Sequence, residues 1–332
     1  MRGAAAFVLA MSASLLVLGP ASAQRATTGS APALVSPAPP LVGDPTPGAR
    51  APAPAQASAT PPGRAGSAAA AGKCDNPNGL GTARTVEIDT TGGPGFGFEH
   101  FRQHDFLREG EVVLTFDDGP WPTTPAVLKA LAAECVKATF FMIGKHATYY
   151  PEIVKQVVAG GHSVGSHTWS HQDLSRKTKD EAVAEIEKGI AAIAWALGDN
   201  ANQAAPFFRF PALRHPPELV TYLGERNVGI YSTDMDSFDF KMRKPEQVIA
   251  STMAKLKKHG KGIVLMHDFQ TPTSQAVPEL LAQIKAGGYK VVHMKPKFGI
   301  KSMPKYDEEL MKDQKLPTVS QRPTSSVVRS LD

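Results

Sequence analysis

Cysteine is nearly absent from this chain: among 332 residues there are only two, Cys74 and Cys135. Neither lies at a spacing typical of metal binding, which excludes a metal site built from cysteines. A disulfide between them and two unpaired thiols, with Cys135 packed in a core, are equally consistent with the sequence. Closing a loop of that length would stabilise the fold by about 4 kcal/mol in the chain-entropy treatment, and an exported protein would permit it.

Strong charge of one sign is also lacking. The formal net charge is +5 at pH 7, and the basic residues are scattered along the chain instead of forming a stripe. This gives little support to nucleic-acid binding, so we expect no nucleic acid among the partners. The oligomeric state is not fixed by the sequence.

Long apolar runs are missing after the first 23 residues. No later segment approaches the roughly 20 apolar residues that cross a bilayer, so we expect no transmembrane span in the mature chain. Residues 1–23 have the pattern of a secretory signal, with Arg2, an apolar run over residues 7–18, and Ala-Ser-Ala at 21–23. We predict a periplasmic or secreted protein, and an uncleaved signal that tethers it is the alternative.

Composition divides the rest of the chain into three parts. Residues 24–73 are rich in Ala, Pro, Gly, Ser and Thr, and we predict a disordered linker because they cannot bury enough apolar surface. Residues 74–298 are long enough for one α/β domain. Residues 299–332 are mixed in charge and rich in turn residues, which predicts a loosely ordered C-terminal tail.

Short apolar runs alternate with longer amphipathic ones from residue 111 onward. The predicted strands are 111–116, 137–142, 161–166, 206–210, 228–233, 262–266 and 289–293. The predicted helices are 124–134, 151–159, 179–197, 216–226, 246–259 and 275–287. This βαβα order implies parallel strands with right-handed crossovers, arranged in an open doubly wound sheet or a closed barrel.

The unusual polar residues follow the carboxyl ends of the predicted strands. They are Asp117, Asp118, His167, Arg209, Asp234, Asp236, Asp239 and His267. In a barrel these ends converge on one face, where such folds place their sites. The placement therefore favours a barrel, and its seven strands are one fewer than the usual eight.

Two motifs carry most of the chemistry: residues 115–120 (TFDDGP) and 167–171 (HTWSH). The spacing of His167 and His171 predicts both imidazoles on one side of a helical turn. With one carboxylate they form a two-His-one-carboxylate set with open positions, which suits catalytic zinc and other first-row metals. The second carboxylate is a spare base, so the pair of motifs predicts a hydrolase. An iron oxygenase has similar ligands, but the adjacent free Asp and the barrel pattern disfavour it.

These motifs, with three more in the same order, resemble those of the polysaccharide deacetylases with a NodB-like domain, carbohydrate esterase family 4. The other three are residues 209–211 (RFP), 236–240 (DSFDF) and 265–267 (LMH). The resemblance spans about residues 108–295 and identifies 74–298 as the catalytic domain. It implies a distorted seven-stranded (β/α) barrel with parallel strands, and metal-assisted removal of N-acetyl groups from an N-acetylated polysaccharide or oligosaccharide.

The resemblance also implies a role for each polar residue of the motifs. The expected metal ligands are Asp118, His167 and His171. The expected catalytic groups are Asp117 as general base, Arg209 as its partner, His267 as general acid, Asp239 as the partner of the acid, and the backbone N–H of Ala212 as oxyanion donor. The expected cofactor is a divalent metal, Zn²⁺ first and Co²⁺ or Ni²⁺ as alternatives.

Two residues depart from the family pattern. Ala212 stands where Tyr is usual, which keeps the backbone donor but removes an aromatic wall. Phe240 stands where Trp is usual, which keeps an apolar wall without the indole N–H. The candidate groove residues are Trp121, Pro211, Phe240 and Leu265.

The loss of Tyr and Trp motivates an alternative function, a catalytically silent glycan-binding module of the cell envelope. All the expected ligands and the base are nevertheless present, which favours the enzyme. Chitin-like oligomers, peptidoglycan and an acetylated exopolysaccharide all remain open as substrates.

Overall fold

The computed structural model describes residues 76–313. The predicted signal peptide (1–23) and linker (24–73), Cys74, and residues 314–332 of the predicted tail lie outside the described residues. Cys135 is disulfide-bonded. The alternative in which Cys135 is an unpaired thiol packed in the core is therefore wrong.

Ten β-strands lie in the described part of the chain. They are β1 (Thr82–Ile88), β2 (Gly95–Phe96), β3 (Glu111–Asp117), β4 (Thr139–Met142), β5 (Ser163–Ser166), β6 (Ala204–Phe208), β7 (Gly229–Tyr231), β8 (Met235–Asp236), β9 (Gly262–His267) and β10 (Lys290–Pro296). All their pairings are parallel.

Eight α-helices and four short 3-10 turns connect these strands. The helices are α1 (Thr124–Ala133), α2 (Gly144–Tyr149), α3 (Pro151–Ala159), α4 (Lys179–Leu197), α5 (Pro217–Glu225), α6 (Pro245–His259), α7 (Thr271–Ala286) and α8 (Pro304–Asp313). None of the helices between residues 76 and 313 is long and apolar enough to cross a membrane.

The seven strands and six helices predicted from the sequence are all present, and their observed boundaries differ from the predicted ones by at most four residues. Local signals explain this agreement. Helix α4 begins with a capping box in which Thr178 and Glu181 bond to each other's backbone N–H groups. Prolines lie in the first turn of α1, α3, α5 and α6, where a missing N–H does no harm.

The strands close into a distorted barrel. Strand β3 pairs with β4 and β9, and the ladder continues from β4 through β5 and β6 to β7. Strands β7 and β8 lie on one short stretch of chain, and β8 pairs with β9, so this stretch joins β6 to β9. Strand β10 pairs with the first residues of β3 and with β1, while β2 pairs with β7.

Each strand of the barrel is buried on both faces. Successive residues divide between two apolar clusters, as the two-residue period of a strand requires. Val113, Phe141, Phe207 and Ile263 belong to a cluster formed with few helical residues, and it fills the barrel. Their sequence neighbours Leu114, Phe140, Phe208 and Val264 belong to the larger cluster that includes the surrounding helices. The apolar interior leaves the strand ends as the place for polar groups.

The predicted loose tail is wrong for residues 304–313, which form helix α8. Tyr306 and Leu310 are one turn apart and bury their side chains against α4, while the rest of the helix is mostly polar. The tertiary contact with α4 therefore stabilises a segment whose composition alone is typical of a surface tail. Regular structure also precedes the first predicted strand, because β1 begins at Thr82 and runs beside β10.

Candidate active site

The structure brings most of the predicted polar side chains together at the carboxyl ends of the barrel strands. Asp234 is an exception, because its carboxylate accepts hydrogen bonds from the N–H groups of Phe98 and of Ile263 near the amino end of β9. Asp117 is the last residue of β3 and His267 the last residue of β9. His167 follows β5, and Arg209 follows β6. Asp239 lies in a short 3-10 turn after β8.

Asp118, His167 and His171 form a cluster suited to a metal ion, with one potential ligand atom from each residue within 4.8 Å of the others. Oδ1 of Asp118 lies 3.3 Å from Nε2 of His171 and 3.6 Å from Nε2 of His167. This oxygen is buried and has no hydrogen-bond partner among the described residues. A buried acceptor without a donor is unfavourable, and a cation between the three atoms would satisfy it.

The surroundings of His167 give its ring the protonation state and orientation that a metal ligand needs. Its Nδ1 lies 2.7 Å from the carbonyl oxygen of Arg209, so Nδ1 carries the proton and donates it. Nε2 is therefore left with a free lone pair facing Asp118. Burial lowers the pKa of His167 to about 4, so the ring is neutral at pH 7, as metal ligation requires.

The segment 167–171, called the metal loop below, is not a helical turn, and this sequence prediction is wrong. Thr168 and His171 have φ angles of 70° and 57°, in the left-handed region. The side-chain oxygen of Thr168 accepts a hydrogen bond from the N–H of His171 at 2.9 Å. The two imidazole rings lie 4.9 Å apart because of this tight turn, not because of helical periodicity. Such conformations of non-glycine residues concentrate at functional sites.

Asp117 is held by a fully buried arginine. Nη1 of Arg209 donates to Oδ1 of Asp117 at 2.7 Å and also to the hydroxyl of Thr115 at 2.7 Å. The other donors of Arg209 bond to the carbonyl oxygens of Tyr231 and Ser232. The second oxygen of Asp117 lies 4.0 Å from Nε2 of His167. A buried charge pair needs this degree of hydrogen bonding to be tolerated, and the arrangement keeps Asp117 beside the ligand cluster without making it part of the cluster.

His267 forms a dyad with Asp239. Nδ1 of His267 donates to Oδ1 of Asp239 at 2.7 Å, and the other oxygen accepts from the His267 N–H and the Thr273 hydroxyl. Burial opposes the charged ring, but the Asp239 hydrogen bond and the charges of Asp239 and Asp118 raise the pKa of His267 to about 10. The ring is thus a proton donor at neutral pH. Its Nε2 lies 3.9 Å from Oδ2 of Asp118, on the side away from the two metal-loop histidines.

The oxyanion candidate Ala212 lies in a short turn with φ of 52°. The hydrogen bonds of this turn run from Leu213 to Phe210 and from Arg214 to Pro211, and neither uses the N–H of Ala212. The donor predicted from the sequence is therefore not consumed by the turn itself.

The four predicted groove residues divide into two pairs. Phe240 is 44% exposed, and its ring lies 5.5 Å from the His267 ring. Trp121 is half-buried and packs on His146 and Tyr150. Pro211 and Leu265 are buried, Leu265 with 4% exposure. Leu265 lies in β9 and Pro211 in the short turn after β6, and a place for either residue in a substrate groove stays a prediction.

Three residues support the site but were not predicted from the sequence. Nδ1 of His146 lies 2.7 Å from the carbonyl oxygen of Asp118 and fixes the backbone of that ligand. Asp268 accepts a hydrogen bond from Thr124 under the loop of Gly119, and burial raises its pKa to about 7. Glu185 of α4 binds the N–H and hydroxyl of Ser170 in the metal loop. Each acts across a long sequence separation, which no local pattern records.

Comparisons with known proteins identify relatives of this chain. The family described as "Polysaccharide deacetylase" matches residues 106–228. Chitin deacetylase 1 of Saccharomyces cerevisiae is 33% identical over 159 residues, which is 46% of this chain and 50% of that protein. A chitooligosaccharide deacetylase of Bradyrhizobium is 32% identical over 163 residues, which is 48% of this chain and 72% of that protein.

A solved structure, the peptidoglycan deacetylase Bd3279 of Bdellovibrio bacteriovorus, superimposes with a TM-score of 0.59 at 33% identity. The match covers 67% of this chain and 61% of that one. The chain spans half the length of the yeast relative. The family match ends before Asp239 and His267, so these two residues rest on the geometry described above.

Proposed function

The chain belongs to the polysaccharide deacetylase family, and from this we propose that it is a metal-dependent hydrolase that removes N-acetyl groups from an N-acetylated glycan. The observation that carries the proposal is the unpartnered, buried Oδ1 of Asp118 between Nε2 of His167 and Nε2 of His171. An arginine-bound carboxylate and an aspartate-bound imidazole lie next to this cluster.

Asp118, His167 and His171 would hold the metal, and two imidazoles with one carboxylate suit Zn²⁺ best, with Co²⁺ or Ni²⁺ as alternatives. Burial would raise the pKa of Asp118, but the neighbouring imidazoles keep it below its ordinary value, so the ligand is anionic. When bound, a divalent cation polarises an amide carbonyl and lowers the pKa of water toward about 7.

Asp117 serves as the general base in the proposed reaction. Its carboxylate accepts the proton of the attacking water as the new C–O bond forms, and Arg209 keeps it oriented. The N–H of Ala212 donates to the oxyanion that develops on the former carbonyl oxygen. Because Asp117 and Asp118 are adjacent but have different partners, one can bind the cation while the other receives the proton.

His267 serves as the general acid. It is charged at neutral pH, and it gives its Nε2 proton to the amine nitrogen as the C–N bond breaks, so the amine leaves as a neutral group. Asp239 stabilises the imidazolium and fixes the tautomer with the proton at Nδ1. Acetate and a free amino sugar are the products.

The substrate class and location follow the same reasoning. The names of relatives include chitin, chitooligosaccharide and peptidoglycan deacetylases, so we propose an N-acetylated glycan with the polymer unassigned. The secretory pattern of residues 1–23 supports an exported protein that meets this glycan in the periplasm or outside the cell.

The test is acetate release from a panel of N-acetylated glycans, with protein stripped of metal and reloaded with zinc, cobalt or nickel. We expect activity only in the reloaded protein. Asp117→Asn should lower kcat about 100- to 10,000-fold while metal affinity stays close to that of the wild type. Asp89→Asn, a change in a surface ion pair with Lys297, is the matched control and should keep full activity.

Full activity of Asp117→Asn would contradict the assigned base. Tight glycan binding without acetate release by the metal-loaded wild type would instead favour the silent binding module.

A further inference from the structure

We propose that helix α8 positions the metal loop by holding Trp169 in place, and that the affinity of the site for its metal depends on this contact. The inference rests on the proposed metal site. It concerns residues 304–313, which lie far in sequence from the proposed ligands and catalytic groups.

Trp169 lies between the two metal-loop histidines, and its side chain is buried in a small apolar cluster. The other members are Ala191 and Ala192 of α4 and Tyr306 and Leu310 of α8. Lys188 of α4 places its ammonium 4.7 Å from the centre of the indole ring and forms an ion pair with Asp313 at the end of α8. The two helices therefore enclose this indole together.

The backbone on both sides of the indole is tied to neighbouring elements. The N–H of Trp169 donates to the carbonyl oxygen of Glu185 at 2.8 Å, and its carbonyl accepts from Lys145 at 2.8 Å. The next residue, Ser170, gives both its N–H and its hydroxyl to the Glu185 carboxylate. A displacement of Trp169 would therefore strain bonds to α4 and to α2 at once.

Helix α4 lies against the metal loop with no room for adjustment. A Cβ atom added to Gly189 would come within 2.6 Å of the carbonyl carbon of Thr168. A Cβ added to Gly144 of α2 would come within 2.9 Å of Cα of Gly189 and 3.0 Å of the Trp169 ring. Because the surfaces are in direct contact, a shift of α4 moves the loop. Helix α8 packs on the same helix, and its Tyr306 and Leu310 belong to the same apolar cluster as the indole.

His171 is the ligand that depends most on this support. Its side chain is 41% exposed, and within the described residues its Nδ1 has no hydrogen-bond partner of the kind that fixes His167. Its orientation is set by the backbone of the metal loop, which adopts left-handed φ angles at Thr168 and His171. Such a conformation persists only when the surroundings determine it. Loosening the packing on Trp169 should therefore misplace His171 first.

The test compares two full-length variants that each remove a buried leucine from a helix. Leu310→Ala removes a buried α8 member of the cluster that contains Trp169, and Leu281→Ala removes an equally buried side chain from α7. Metal affinity is measured by titration with Co²⁺, followed by its visible absorption, and by competition between Zn²⁺ and a chelator. We expect Leu310→Ala to weaken binding about 10-fold, at the low end of losses for groups that support metal ligands.

We expect Leu281→Ala to lose thermal stability but to keep its metal affinity within about 2-fold of the wild type, because Leu281 belongs to a different apolar cluster from Trp169. Leu310→Met, which keeps the volume, should restore the affinity. At saturating metal, KM for the glycan should stay unchanged in Leu310→Ala, since the substrate contacts are intact.

Equal metal affinities of Leu310→Ala and Leu281→Ala would overturn the inference. Should Leu310→Ala not fold, Leu310→Val gives the same comparison with a smaller cavity and must still weaken binding relative to Leu281→Ala. Failure of the wild type to bind either metal would contradict the proposed function instead, and the wild-type titration separates the two outcomes.

Discussion

The metal side and the acid side of the site each contain a histidine that is largely shielded from solvent, and the two have opposite charge states. His167 bonds through Nδ1 to a neutral backbone carbonyl, and burial lowers its pKa to about 4. His267 bonds through Nδ1 to a carboxylate, and its pKa is raised to about 10. The ring is the same and both are largely shielded from solvent, so the partner of Nδ1 decides whether the imidazole is a neutral ligand or a proton donor.

The substitution with the largest expected effect is Asp239→Asn, which should remove the difference in charge between His267 and His167. The amide cannot stabilise the imidazolium, so the pKa of His267 should fall and its proton should be lost at neutral pH. We expect kcat to fall about 100- to 10,000-fold, with metal affinity unchanged because Asp239 does not contact the ligand cluster. Steady-state kinetics with a parallel metal titration measure both.

The pH profile checks the sign of this effect. In the wild type the acid is protonated below a pKa of about 10, so the alkaline limb of kcat should lie near that pH. In Asp239→Asn the limb should move to lower pH. An unchanged limb would remove His267 from the role of acid.

The second prediction concerns the buried ion pair between Arg209 and Asp117. Arg209→Met removes the cation and leaves Asp117 buried without its partner, which should lower the free energy of unfolding by about 3 to 5 kcal/mol. Lys297→Met, which breaks an exposed pair with Asp89, should have a much smaller effect, because solvent screens the two charges. Urea unfolding of both variants makes the comparison, and similar losses would show that burial of the pair is not what matters.

The third prediction extends the contrast to a histidine outside the site. Burial lowers the pKa of His162 to about 3, and its Nδ1 accepts a hydrogen bond from the N–H of Ala138. Below the unfolded pKa of about 6.5, the unfolded chain binds a proton that the folded chain excludes. Stability is therefore lost as pH falls from about 6.5 toward 3, at up to about 1.4 kcal/mol per pH unit for one group.

His162→Asn keeps an acceptor near Ala138 but cannot be protonated, so the loss of stability with acid should be less steep. His167, His215 and His293, whose pKa values burial lowers to about 4, remain in both proteins and contribute to the residual slope. Chemical unfolding between pH 4 and 7 measures this. Parallel slopes for the two proteins would contradict the assignment to His162.

The smallest expected effect is that of Phe240→Trp, which introduces the residue usual in the family beside His267. The ring is exposed, so stability should change by less than about 0.5 kcal/mol. We expect KM for the glycan to change by less than about 10-fold and the alkaline limb to stay in place. A large shift of the limb would show that this ring, and not Asp239 alone, controls the charge of His267.

The sequence predicted the elements and motifs well because both depend on local pattern. Alternating residues such as Phe140 and Phe141 identify strands buried on two faces, and Asp117 and His267 directly end such strands. The topology then gathers these ends on one face. Nothing beyond the order of strands and helices was needed for that step.

The failures share one cause, which is dependence on distant residues. The i, i+4 spacing of His167 and His171 resembles a helical turn, but contacts with α4 hold the loop in left-handed conformations instead. Helix α8 is mostly polar and forms because α4 and Trp169 offer it an apolar surface. His146 reaches Asp118 through space, across a separation of 28 residues.

Arg209 has a further consequence for access to the site. Its guanidinium lies 4.3 Å above the ring of Phe141, which belongs to the apolar filling of the barrel, and it bonds to groups on β3 and to the chain at and just after β7. Arg209 therefore fills the interior of the barrel next to Asp117. For the proposed reaction we expect the substrate to reach Asp117 and His267 from the carboxyl ends of the strands and not through the barrel, so a blocked barrel interior is part of what defines the direction of approach.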